Sequence, residues 1–226
     1  DILSSIILVN LDPSYKAFEK SFDDEIISNF QKIKEYECIY KHKWIDCESN
    51  WKIFFYEFMN YFKDFSFHSE FKHFNENSNF EPYFRKKINI SKDFLKFGDN
   101  AEIFWLFPNF IFFKTQNFCF IIILQATAMN KNLQRCFFLT DKSIDKNNSD
   151  QIFDDFVNLI KKINAKSKIN HQTRIQSKTS HDFYDVEENK EMYHFNKHIV
   201  DKVLKEHTYY RNPPIMDAGF QGLKRM

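Results

Sequence analysis

Between Glu102 and Asp141 the chain is a series of apolar runs cut by short polar breaks, and this pattern constrains the fold more than any other feature. Glu102–Phe113 and Phe118–Ala126 have strand composition and are separated by turn-forming residues at Lys114–Asn117. A second break at Asn130–Asn132 precedes a third strand at Leu133–Asp141. Strands in series with such short connections predict an antiparallel meander. The apolar run Ile103–Phe113 is broken by Pro108, and neither it nor Phe118–Leu124 reaches the roughly 18–20 residues that a membrane span needs.

Helical spacing flanks the meander. Phe18, Phe22, Ile26, Ile27 and Phe30 fall on one face of Ser14–Glu35, which predicts one amphipathic helix or two short ones. Glu37–Asp46 has strand character, and so does Ser5–Asn10 before the stop at Asp12-Pro13. Trp51, Phe54, Phe55, Phe58 and Phe62 share a face and predict a helix over Trp51–Phe62. Gln151–Ile163 is expected as a helix with Asp154 and Asp155 in its first turn, where carboxylates suit the dipole. Polar sequence follows to about Asn189, and Met192–Leu204 is a last amphipathic helix. Helices, then antiparallel strands, then helices describe an α+β domain with a curved sheet around helices.

Composition narrows the function classes. Thirty-two basic against 31 acidic residues leave a net charge of +1, so no strong field draws the chain to nucleic acid or an anionic membrane. Hydrophobic residues at 43% and charged residues at 28% are those of a globular, not a disordered, chain. Phe occurs 29 times and Gly 3 times, so backbone sites needing positive φ fall mainly to Asn or Asp. Cys38, Cys47, Cys119 and Cys136 form no CxxC pair, and no secretory signal is seen, which predicts reduced thiols in a cytoplasm. Cys119 and Cys136 are expected on adjacent strands as small core residues.

Four stretches, in order, carry a family resemblance: ILVNLDP (Ile7–Pro13), NWKIFFYEF with FHSEF (Asn50–Phe71), WLFPNF (Trp105–Phe110), and Ile175, Gln176 and Tyr184 followed by YHFNKHI (Tyr193–Ile199). Together the chain resembles the C-terminal catalytic domain of the α subunit of Rieske-type non-haem iron oxygenases. It is most similar to the carnitine and glycine betaine demethylase and choline monooxygenase branch. The resemblance implies a helix-grip fold (Bet v 1-like), with an antiparallel sheet of about six or seven strands wrapped around a C-terminal helix. It divides the chain into a link to a missing Rieske domain (1–13), a catalytic-type domain (14–208) and a tail (209–226). It also implies a mononuclear Fe(II) held by two His and one Asp, with positions open for O2 and substrate. Electrons would come from a [2Fe–2S] cluster, for which this chain has no ligands, since neither C-x-H nor C-x2-H occurs. A separate Rieske or reductase protein is the partner implied.

Matched to the family's iron helix, the second His falls on His68, the first on Lys63 and the acidic bridging position on Asn60. An ammonium has no lone pair for a metal, and an amide cannot carry a carboxylate's charge. The carboxylate ligand position falls near Lys168, and no Asp or Glu occurs from Phe156 to His181. An alternative pairs His68 with His73, which keeps the family's spacing between ligands. His171 stands alone in a Lys-rich stretch, and His194 and His198 lack a third ligand. Trp51, Phe55 and Phe62 leave two readings open, core packing or a cage for a quaternary ammonium. Three functions are weighed: an oxygenase-family domain degenerate at its iron site; a working iron monooxygenase component; and a non-catalytic small-molecule binding protein.

Overall fold

The computed structural model describes residues 2–3, 6–7, 22–36, 38–72, 83–89, 100–106, 109–141, 144–177, 193–194, 196–201 and 204. The chain divides into two compact units, Asp1–His181 and Asp182–Met226. In the second, residues 193–194, 196–201 and 204 are helical, within the helix expected over Met192–Leu204.

In the first unit, β1 (Ile2–Leu3) and β2 (Ile6–Ile7) form a small antiparallel pair. Then come α1 (Asp24–Gln31), a 3-10 turn (Lys32–Glu35), β3 (Cys38–Cys47), α2 (Trp51–Tyr61), β4 (Ser66–Lys72) and β5 (Tyr83–Asn89). The meander follows as β6 (Asn100–Leu106), β7 (Phe110–Lys114), β8 (Phe118–Ala128) and β9 (Lys131–Thr140), before α3 (Lys146–Ser177). Strands β3 to β9 make one antiparallel sheet in the order β3-β9-β8-β7-β6-β5-β4. The sheet curves over α2 and α3, so the α+β helix-grip architecture is present and the gripped helix is α3. None of the described helices is long and apolar enough to cross a membrane.

Both faces of the sheet are covered. On the outer face Phe104, Leu106, Phe112, Ile121 and Leu139 form one cluster with Ile26, Phe30 and Ile33 of α1 and its 3-10 turn. On the inner face Phe84, Trp105, Phe113, Phe120 and Phe138 meet the rings of α2 and α3. A strand buried on both sides loses its apolar–polar alternation, which is why Phe118–Leu124 reads as an unbroken apolar run.

Local signals set the helix ends. Asn50 caps α2, its side-chain oxygen accepting the Lys52 amide at 2.9 Å, and Asp23 caps α1 by accepting the Ile26 amide at 3.1 Å. The run Glu102–Phe113, expected as one strand, is two. The chain reverses between β6 and β7 so that Leu106 pairs with Phe110 and Phe104 with Phe112.

Helix α3 also differs from the expectation: it starts before Gln151 and continues past Ile163 to Ser177. Its N-terminus is set by Asp145, whose side chain accepts the Asn148 amide at 3.0 Å, so Asp154 and Asp155 are not in the first turn. The extension was hidden because its inward positions are polar. Asn164 and Gln134 of β9, 8% and 0% exposed, exchange two amide hydrogen bonds of 2.9 and 3.0 Å. Gln134 also donates to Asn132, which donates to the Ser49 carbonyl.

Strands β4 and β5 carry no periodic apolar signal because their outer positions are polar or charged except for Tyr83, which joins the outer cluster. Lys72 lies 2.6 Å from Asp23 and 3.0 Å from Glu25. Arg85 binds Glu25 and, at 2.8 Å, Glu102, and the Tyr83 hydroxyl donates to Asp23. This network docks the start of α1 on the outer face. Burial opposes the Lys72 charge, but hydrogen bonds to Asp23, Tyr83 and Glu25 outweigh it and raise the Lys72 pKa. Burial is also the main cause that raises Tyr83.

Two outcomes are expected. Gln134→Leu or Asn164→Leu alone leaves a buried amide without its partner and lowers stability by about 1–3 kcal/mol. The double variant loses less than the sum, measurable as a coupling energy in urea melts. Because both pKa values rise on folding, Lys72 and Tyr83 contribute fully below their unfolded values near pH 10 and lose that contribution above them. Thermal melts should therefore fall more steeply above about pH 10 for the parent chain than for a Lys72→Met, Tyr83→Phe variant.

Candidate functional site

The stretch Asn50–Phe71 holds most of the residues that the sequence singles out, and its local physics divides it in two. The apolar face of α2 ends at Tyr61, and a turn carries the chain into edge strand β4. Asn60 sits half-buried in the last turn of α2, its carbonyl accepting the Lys63 amide at 3.0 Å. Lys63 is exposed in the turn, and its carbonyl accepts the Ser66 hydroxyl at 2.9 Å.

His68 lies on β4 opposite Lys87 of β5, exposed, with Nε2 3.4 Å from Glu70. Glu70 is opposite Arg85, whose guanidinium reaches Glu25 of α1 and lies 5.5 Å from the Phe104 ring centre. His68 and Glu70 thus belong to the outer, α1-covered face. Lys168 belongs to α3 on the inner side, where its ammonium is 2.5 Å from Glu48. That ammonium, by hydrogen bond and charge, holds the Glu48 carboxyl below its usual range. The sheet therefore lies between His68 and Lys168, and the two do not come together.

Among the described residues, no three His, Cys, Asp or Glu side chains converge to hold a metal ion. The described part of the chain does not supply the two-His, one-carboxylate set that Fe(II) takes. His73 and Tyr184 lie outside the described residues. His171 sits partly buried on α3, where burial and then Arg174 lower its pKa and favour the neutral ring. Gln176 is exposed in the last turn of α3.

The rings of α2 are packing elements. Phe55 stands edge-on to Trp105 with centroids 3.9 Å apart and tilts against Phe84 at 5.2 Å. Phe62 meets Phe58 at 5.2 Å and Phe113 at 5.9 Å. Both are fully buried, so the core-packing reading of Phe55 and Phe62 holds. Trp51 is half-buried in the first turn of α2, with the Lys52 ammonium 5.9 Å from its ring centre.

Cys47, Cys119 and Cys136 are free and buried, with Cys119 on β8 and Cys136 on β9 as expected. Burial raises the Cys119 thiol well above its usual value and pushes Cys136 up to about 12, which removes thiolate reactivity.

Two buried charges were not anticipated. Glu57 of α2 is 2% exposed, with Asn170 and Lys166 of α3 on its carboxylate. Lys86 of β5 is 4% exposed and donates to the Met59 carbonyl at 3.0 Å. A signal for Glu57 was available: it is a lone carboxylate inside the apolar run Ile53–Met59.

No protein-family model matches the sequence, and no curated protein matches it. Solved structures do match in fold. The quaternary ammonium Rieske monooxygenase CntA in complex with L-carnitine aligns with a TM-score of 0.53 at 12% identity, covering 73% of this chain and 47% of that one. CntA in complex with γ-butyrobetaine gives a TM-score of 0.50 with the same identity and coverage. CntA with the inhibitor MMV12 also gives 0.50. The match thus spans about half the length of these monooxygenase structures. The likeness implied by the sequence motifs is one of fold: over the matched length the chain is built like a quaternary ammonium Rieske monooxygenase.

Proposed function

We propose that this chain is a homologue of the catalytic domain of Rieske oxygenase α subunits whose iron site is degenerate, so that it acts without oxygenase chemistry. In this reading residues 1–13 correspond to the link from a Rieske domain, 14–208 to the helix-grip domain and 209–226 to a tail. The ancestral reaction would be O2-dependent hydroxylation or demethylation of a quaternary amine or aromatic substrate. The domain would work in the cytoplasm.

One observation carries the reading. The three positions that match the family's metal ligands hold Lys63, His68 and Lys168, and each is engaged away from the other two. Lys63 is at an exposed turn, His68 is beside Glu70 on the outer face, and Lys168 is ion-paired to Glu48 on α3. Two ammonium groups in place of a His and the only carboxylate remove most of the affinity for Fe(II). Tight aromatic packing of the inner face further supports a structural or interaction role for the domain.

Anaerobic loading of the purified full chain with Fe(II), followed by desalting, tests this. Retained iron should stay far below one per chain, and the melting temperature should be the same with and without a chelator. Near one iron per chain that is lost in His68→Ala would overturn the proposal. It would instead favour a working component with His68 and His73 as ligands, fed by a separate Rieske protein.

A further inference from the structure

Helix α3 changes character at Ile163. Before it, Ile152, Phe156, Leu159 and Ile160 are buried at 2% exposure or less. Hydrophobic burial holds this half on the sheet, where Phe156 stacks on Phe120 with ring centres 3.7 Å apart. Beyond it, Ala165, Ile169 and Ile175 are the apolar residues of Asn164–Ser177, and all three are exposed, the two isoleucines at 64%. Burial of apolar area cannot hold this second half in place.

Polar contacts hold it instead, centred on the buried Glu57 carboxylate. Asn170 Nδ2 donates to Glu57 Oε1 at 2.5 Å, and Lys166 Nζ lies 3.1 Å from Oε2. Arg174 Nε donates to Asn170 Oδ1 at 2.8 Å, and its guanidinium lies 5.5 Å from the Tyr56 ring centre. Lys168 continues the row on Glu48. These partners are unequal. The Lys166 side chain is 67% exposed and stays hydrated whether bound or released, whereas Glu57 is 2% exposed. A carboxylate desolvated by the helix above it favours two states, closed with its partners or open to water, over partly closed ones.

We propose that α3 beyond Asn164 is a releasable strap, latched by Glu57, that opens the seam between α2 and α3 while Lys146–Asn164 stays packed on the sheet, Asn164 being held there by Gln134. The inference is independent of the iron reading. Elements held by few buried apolar contacts open locally at free energies below that of global unfolding. Opening would expose Glu57 and Tyr56 and give access to the polar edge of the inner layer.

Hydrogen exchange on the full chain, read by mass spectrometry near neutral pH, tests the strap. Amides of 165–177 should exchange faster than those of 146–164. Glu57→Gln should speed exchange in 165–177 by about 10- to 100-fold and leave 146–164 unchanged, since one charge-assisted contact is lost. Brief trypsin treatment should cut after Lys166 and Arg174 before it cuts after the exposed Lys161 and Lys162. Equal protection of the two halves, or equal acceleration of both by the variant, would overturn the proposal. If Glu57→Gln does not fold, Asn170→Ala reads the same contact from α3, with the same outcomes deciding.

Discussion

The structure depends on one packing contact, the parallel stack of Phe120 of β8 on Phe156 of α3, with planes 5° apart. Around it, Phe113, Phe138 and Phe153 extend the ring contacts along the sheet and α3, and Phe62 joins them from the C-cap of α2. Aromatic side chains bury large areas with few rotatable bonds, so a core made of them is rigid once formed. The abundance of phenylalanine, with 29 in the chain, has its structural outcome here. In a helix-grip fold this is the layer between sheet and helix, and here much of it is taken up by interlocking rings.

That rigidity ends where polar residues take over. The Gln134–Asn164 amide pair sets the rotation of α3 against β9 at the point where the apolar face of the helix stops. Past it, contacts to α2 are made by a carboxylate, an amide, lysines and an arginine. A helix whose first half is held by dispersion and burial and whose second half is held by charge has two different stabilities along one axis. On the other side of the sheet, the Asp23–Glu25–Lys72–Arg85–Glu102 network performs a related task and fastens the start of α1 to the charged outer positions of β4, β5 and β6.

The separation of His68 from Lys168 follows from strand alternation. In β4 successive side chains point to opposite faces, so the placement of Glu70 opposite Arg85 puts His68 on the outer face as well. A histidine there meets Glu70 and Lys87 and is remote from the helices that line the inner face.

The meander, the α2 helix and the buried pair Cys119 and Cys136 were all legible in the sequence, because each rests on local apolar patterning; the Asn50 cap of α2 came only with the structure. The split of Glu102–Phe113 at Pro108 was visible as a break in an apolar run, but its consequence, a reversal with β6 paired to β7, was decided by the neighbouring strands. Strands β4 and β5 and the far half of α3 were not legible, since their inward or covered positions are Lys86, Arg85, Asn164 and Asn170. Such residues are buried or partly buried beside a distant partner: Met59, Glu25 and Glu102, Gln134 and Glu57 respectively. By itself the sequence determined which segments are apolar enough to form a core. The tertiary structure alone decided where polar side chains could be buried and which face each candidate ligand occupies, because both depend on partners brought together from far along the chain.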